Sequence, residues 1–150
     1  MPLPYESSTS GERALGEMQK LLRGFGCTKF GSMIDDAEGS LVVQFEHKGR
    51  PVSVKASVSG YAAAWLKEHP YSSRMRCSLA EHQRKARDIA STAVYSILRD
   101  WIKGQITAIE TGILSFEGAF LGQILLPSGR TVLEHARESK LLPMLEGPKP

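Results

Sequence analysis

Cysteine is nearly missing from this chain: Cys27 and Cys77 are the only two thiols in 150 residues. They lie outside any CxxC spacing, which argues against a thiol-rich zinc site and against the disulfide framework that small secreted domains need. Both read as core or partly buried thiols, and a mutual disulfide stays open because sequence does not give their separation. Long hydrophobic runs are lacking too, since no apolar stretch approaches the roughly 18 residues that suggest a membrane span. The opening MPLPYESSTSGER has neither a basic leader nor a long apolar core. No signal peptide is expected, and a cytoplasmic location is the default.

Chemical signatures are equally scarce. There is no GxxxxGK phosphate loop, no HExxH, no GxSxG, no EF-hand spacing and no aromatic RNA-recognition signature. His47, His69, His82 and His135 are scattered. Asp35-Asp36-Ala37-Glu38 is the best rudimentary metal idea, but three local acids do not complete a coordination sphere, and a solvated turn explains them as well. Cys27 beside Lys29 could gain thiolate character, yet no local histidine and acid complete a triad. No catalytic residue, metal or cofactor is expected.

What is present is a segregated charge. The net charge of +3 divides unevenly along the chain. Residues 1–46 hold four Lys/Arg against seven Asp/Glu, residues 104–150 four against five, and residues 47–103 eleven against four. The middle third, Lys48 to Lys103, is therefore strongly basic and creates an attractive field for polyanions. The same charge also suits an acidic protein partner or plain solvation.

The periodicities give an α+β domain over residues 11–145, between a flexible arm (1–10) and a flexible tail (146–150). Thr9 or Ser10 caps a helix over about 11–23, with Leu15, Met18, Leu21 and Leu22 on one face. Three short antiparallel strands follow. The first contains Phe30 and Ile34. In the second Leu41, Val43 and Phe45 face one way, and in the third Val52, Val54, Ala56 and Val58 do so after a turn at His47-Lys48-Gly49-Arg50. Lys55 then faces the side that a one-layer sheet leaves to solvent. After Gly60, Tyr61, Ala62, Ala64 and Trp65 suggest a short helix that ends near His69-Pro70. Ser78 and Glu81 form a capping box for a long helix that extends to Glu110 unless it breaks at Gly104, its weak point. Its seam is Leu79, His82, Ala86, Ile89, Ala93, Ile97 and Trp101, broadened by Ala90, Val94, Leu98 and Ile102. Shorter C-terminal helices follow, one of them capped by Thr131.

The sharpest constellation is Arg74, Arg76, Arg84, Lys85 and Arg87, on the loop before the long helix and at its N-terminal end. Guanidinium forks suit phosphate, and the helix dipole adds to them. Lys55, Arg99 and Lys103 are extensions of this surface. Tyr61, Trp65, Tyr71 and Tyr95 are candidates for stacking on unpaired bases, with core packing as the alternative. The expected function is non-enzymatic nucleic-acid binding, with single-stranded DNA slightly preferred.

Two passages, residues 21–52 (LLRGFGCTKFGSMIDD through GSLVVQFEHKGRPV) and residues 93–132 (AVYSILRDWIKGQITAIETGILSFEGAFLGQILLPSGRTV), resemble small uncharacterised proteins carried by bacteriophages and mobile elements. The resemblance spans most of the chain and carries no assigned activity. It implies a role with DNA or with a bacterial host protein, so an inhibitor of a host factor is the main alternative. The helix-strand-strand-strand-helix order is also loosely similar to the cores of single-strand annealing proteins, which implies a homo-oligomer.

Overall fold

A computed structural model describes residues 2–143; the tail read over 146–150 lies outside the described residues. Helix α1 (Gly11–Phe25) starts where Ser10 Oγ accepts the Arg13 N–H at 3.1 Å. It stops at Gly26, whose φ of 104° lets Cys27 N–H reach back to the Leu22 carbonyl. The cap is thus the second of the two residues expected, and Glu12 closes no box with Thr9.

Strands β1 (Lys29–Asp35), β2 (Ser40–His47) and β3 (Arg50–Ser57) form a three-stranded antiparallel sheet in the order β1-β2-β3. Lys48 (φ 51°) and Gly49 (φ 80°) make the two-residue turn between β2 and β3, the left-handed pair whose twist matches a hairpin. The alternation expected for β2 and β3 is observed: Leu41, Val43, Phe45, Val52 and Val54 are buried, while Gln44 and Lys55 are exposed. The free side of β3 is partly occupied, because Val52 bridges Ile124 and the Leu125 N–H donates to Pro51 O.

Helix α2 (Val58–Glu68) begins earlier than expected. Ser57 caps it, and Val58 leaves the strand pattern because its N–H and that of Ser59 both donate to Gly39 O. Gly39 must be glycine: its φ is 73°, and a Cβ there would lie 1.7 Å from Ser59 Oγ.

Helix α3 (Leu79–Glu110) is the spine of the molecule, continuous through Gly104. Its buried stripe runs His82, Ala86, Ala90, Val94, Leu98, Ile102, Ile106. Of the expected seam and its broadening, His82, Ala86, Ala90, Ala93, Val94, Leu98 and Ile102 are buried, whereas Leu79 is 50% exposed and Ile89, Ile97 and Trp101 are only half-buried. Steps of four residues overshoot one turn by about 40° each, so the stripe winds around the helix. The N-terminal half consequently buries Ala86 and Ala90 against Ala62 and Trp65 of α2. The C-terminal half buries Val94, Leu98, Ile102 and Ile106 against Met18 and Leu22 of α1 and the inner face of the sheet.

Helix α4 (Phe116–Phe120) closes that core with Phe120, which meets Phe45 and Trp101 edge-on. Helix α5 (Val132–Glu138) uses a Thr131–Glu134 capping box. Residues 2–10, read as a flexible arm, are docked instead. Tyr61 Oη donates to Pro4 O at 2.7 Å, Tyr5 Oη donates to Asp100 Oδ2 at 2.6 Å, and Leu3 packs on the α2–α3 cluster. Leu3 and Tyr5 of the segment itself, with Tyr61 of α2, make these contacts.

His47, at the end of β2, stacks on the rings of Phe25 (centroids 4.1 Å) and Phe116 (5.1 Å), which also stack on each other at 6.5 Å. Burial, with Lys48 and Arg50 nearby, pushes its pKa below the ordinary imidazole value. The unfolded chain therefore binds a proton that the folded chain refuses, so this contribution is complete above about pH 6.5 and fades as pH falls below it. The melting midpoint of wild-type protein should drop across that window. His47→Phe keeps the stack and should flatten the drop, as thermal unfolding followed at several pH values will show.

Candidate nucleic-acid interface

The loop joining α2 to α3 carries the first two arginines, and its shape is set by rings. Trp65 stacks on His69 with centroids 4.3 Å apart, and the His69 carbonyl lies 2.6 Å from His82 Nε2. A carbonyl only accepts, so Nε2 of His82 carries the proton. Tyr71 sets its ring 5.8 Å from that of His82, while its hydroxyl donates to Cys77 O at 2.9 Å. Within the loop, the Met75 N–H donates to Ser72 O and the Arg74 N–H to Ser72 Oγ. Arg74 and Arg76 thus project from an internally bonded turn tied at both ends to the helices.

The N-terminus of α3 is already capped. Ser78 Oγ accepts the Glu81 N–H and Glu81 Oε1 accepts the Ser78 N–H. These bonds hold the Glu81 carboxyl below the usual carboxylate range. A phosphate approaching the helix end meets that negative charge, so the expected dipole contribution is offset, and any attraction has to come from side chains.

Those side chains are free to supply it. Arg74, Arg76, Arg84, Lys85 and Arg87 are all exposed, and none forms an ion pair among the described residues. Arg84 and Lys85 stand on the solvent side of the α3 half whose other side packs on α2. Arg87 is at the margin, lining a recess of about 380 Å³ with Ile34, Asp35, Asp36 and Asp88.

The expected extensions separate from this cluster. Lys55 is exposed on β3 and bound to Glu38 at 2.6 Å, which raises its pKa. Arg99 bridges α1 and α3: its Nη1 lies 2.8 Å from Glu17 and its Nε 2.9 Å from Asp100. With Lys103 it lines a groove of about 680 Å³ between α1 and α3 that also holds Glu17, Asp100 and Glu110. The charges there nearly cancel. At 1.5 Å per residue Arg99 also stands about 22 Å along the helix from Arg84. Arg50 and Arg130 are likewise paired, with Glu117 and Glu138.

The aromatic candidates are engaged in packing. Trp65 is 4% exposed, leaving no face for a base. Tyr61 holds Pro4, and Tyr71 sits on His82. Tyr95 is half-buried, with its ring so close to α1 that a Cβ on Gly11 would lie 2.8 Å from it. Burial raises the Tyr95 hydroxyl pKa. Two apolar residues not foreseen at this surface are exposed there: Met75 between the loop arginines and Leu79 in the first turn of α3. The signals in the sequence are the arginines on either side of Met75 and the place of Leu79 directly after the Ser78 cap.

No catalytic constellation emerges among the described residues. Asp35 Oδ1 accepts the Glu38 N–H and Glu38 binds Lys55, so the acidic turn is occupied with its own structure. No group of three or more His, Cys, Asp or Glu is placed to hold a metal ion among the described residues. Cys27 is buried and its thiol pKa is pushed up to about 11. No helix there is long and apolar enough to cross a membrane. Comparison of the chain with family models, with curated proteins and with solved structures found no match.

Proposed function

We propose that the chain is a non-enzymatic nucleic-acid-binding protein that grips the phosphate backbone with Arg74, Arg76, Arg84 and Lys85, with Arg87 at the edge of the contact. One observation carries this reading: these five cations are exposed and unpaired on one loop and helix start, whereas Lys55 and Arg99 are committed to carboxylates. Unpaired guanidinium groups can form charge-assisted contacts with phosphate without first breaking an internal pair. With the aromatic rings engaged, base stacking contributes little, and duplex DNA, the denser polyanion, is held at least as tightly as single-stranded DNA.

The experiment is fluorescence anisotropy with duplex DNA, single-stranded DNA and RNA of matched length across a salt series. Binding that weakens steeply with salt and varies little with sequence supports the proposal. Undetectable binding at low salt sinks it, and a strong single-strand preference sinks its stacking-free form.

A second reading rests on Met75 and Leu79, which set apolar surface among the arginines. An acidic protein partner, such as a bacterial host factor, would bury both features together. A stoichiometric partner captured from nuclease-treated bacterial extract, and lost on Met75→Asp, would favour it over DNA.

A further inference from the structure

Strand β1 has an open edge. The far side of β3 is partly occupied, at Pro51 and Val52, by Leu125 and Ile124, but no strand pairs with the far side of β1 among the described residues. Every β1 residue except Phe30 is exposed, including Met33 at 65% and Ile34 at 47%. An open edge with apolar side chains, no proline and an uninterrupted register is a template for another strand.

Its backbone phase can be read from the hairpin. In a two-residue turn the flanking pair, His47 with Arg50, exchanges both hydrogen bonds, and such pairs then alternate along an antiparallel ladder. Odd-numbered residues of β2 therefore bond β3, and even-numbered ones bond β1. Through the observed register, Lys29–Glu46, Gly31–Gln44, Met33–Val42 and Asp35–Ser40 are the bonded pairs. The N–H and C=O groups of Phe30, Ser32 and Ile34 consequently point outward.

The sequence of this edge, KFGSMID, is complementary to itself when reversed. Centred on Ser32, it places Lys29 opposite Asp35, Phe30 opposite Ile34, and Gly31 opposite Met33. Each pair falls on one face, because the two residues have the same parity. The centre is itself an outward-pointing residue, so the register with matching charges is also one in which the free backbone groups meet. Lys29 is 73% exposed at its side chain, and it can reach a second carboxylate beside Glu46.

We propose that β1 pairs antiparallel with β1 of a second copy about a two-fold axis at Ser32, joining two sheets into one. The contact is isologous and closes on itself, so it yields a dimer and not a fibre. It does not depend on nucleic-acid binding.

Light scattering coupled to size exclusion tests it, with two variants. Wild-type protein should run as a dimer at high micromolar concentration and dissociate on dilution. Ser32→Pro removes an outward N–H without touching the β1–β2 ladder. It should be monomeric at every concentration with an unchanged circular dichroism spectrum. In a Cys77→Ala background, Ser32→Cys should cross-link under mild oxidation, since facing Cα atoms of a bonded pair lie about 5.5 Å apart. Met33→Cys should not, because Met33 faces Gly31 and not itself. A wild-type protein that stays monomeric up to millimolar concentration overturns the proposal. So does equal cross-linking at positions 32 and 33.

Discussion

Replacing Arg74 and Arg84 together with glutamate should weaken binding to duplex DNA on the order of a hundredfold at low salt, each tenfold being about 1.4 kcal/mol. One of these arginines stands on the loop and the other on the helix, so the pair spans the surface. The slope of log affinity against log salt should become shallower by about 0.9 for each phosphate that is no longer neutralised. Both side chains are exposed and unpaired, so the fold should be indifferent, with stability changed by no more than about 0.5 kcal/mol. Arg99→Gln is the counterpart. It removes a cation of the same basic third, but one already held by Glu17 and Asp100. DNA affinity should scarcely move, while stability falls by less than about 1 kcal/mol, the range for partly exposed ion pairs. Anisotropy titrations and denaturant unfolding of the two proteins side by side separate the two outcomes. Equal weakening of binding in both would mean that total charge, and not this surface, attracts DNA.

The largest stability effect is expected at Trp65. It is 4% exposed, stacks on His69, and fills a cluster whose other buried members are the alanines Ala62, Ala86 and Ala90. Alanines cannot expand into the space it leaves, so Trp65→Ala should cost about 3–5 kcal/mol. The effect should be regional. The main core, with Met18, Leu41, Val43, Ile102 and Phe120, lies on the other half of α3 and keeps its packing. Hydrogen exchange should accelerate in α2 and in the first turns of α3 well before it does in β2. Because His69 and His82 shape the loop bearing Arg74 and Arg76, DNA affinity should also fall, although no charge has been removed. Trp65→Phe, which retains a ring, should recover most of both properties.

Local patterns in the sequence carry the architecture. Alternation at Leu41, Val43 and Phe45, and at Val52, Val54 and Ala56, needs only a period of two, and the Ser78–Glu81 box needs residues three apart. The stripe on α3 is legible as a face: the expected seam and its broadening hold every stripe residue from His82 to Ile102. Nothing local says that Leu79 is left exposed or that Ile89, Ile97 and Trp101 stay at its margin. The site is half legible. That Arg74 to Arg87 form a basic run is visible in the string. That Arg99 is committed to Glu17 is not, because the partners are 82 residues apart. Lys55 and Glu38 meet only because β1, β2 and β3 form one sheet. The aromatic candidates fail for the same reason: nothing near Tyr95 in sequence announces Gly11, and nothing near Tyr61 announces Pro4.

If the loop and helix start from Arg74 to Arg87 receive the nucleic acid, amide chemical-shift mapping during titration with a short DNA duplex at low salt will show it. Shifts should concentrate between residues 72 and 88, with Arg99, Lys103 and Lys55 left near their free positions. Shifts centred on the α1–α3 groove around Lys20, Arg99 and Lys103, or the absence of shifts at saturating DNA, would contradict that placement.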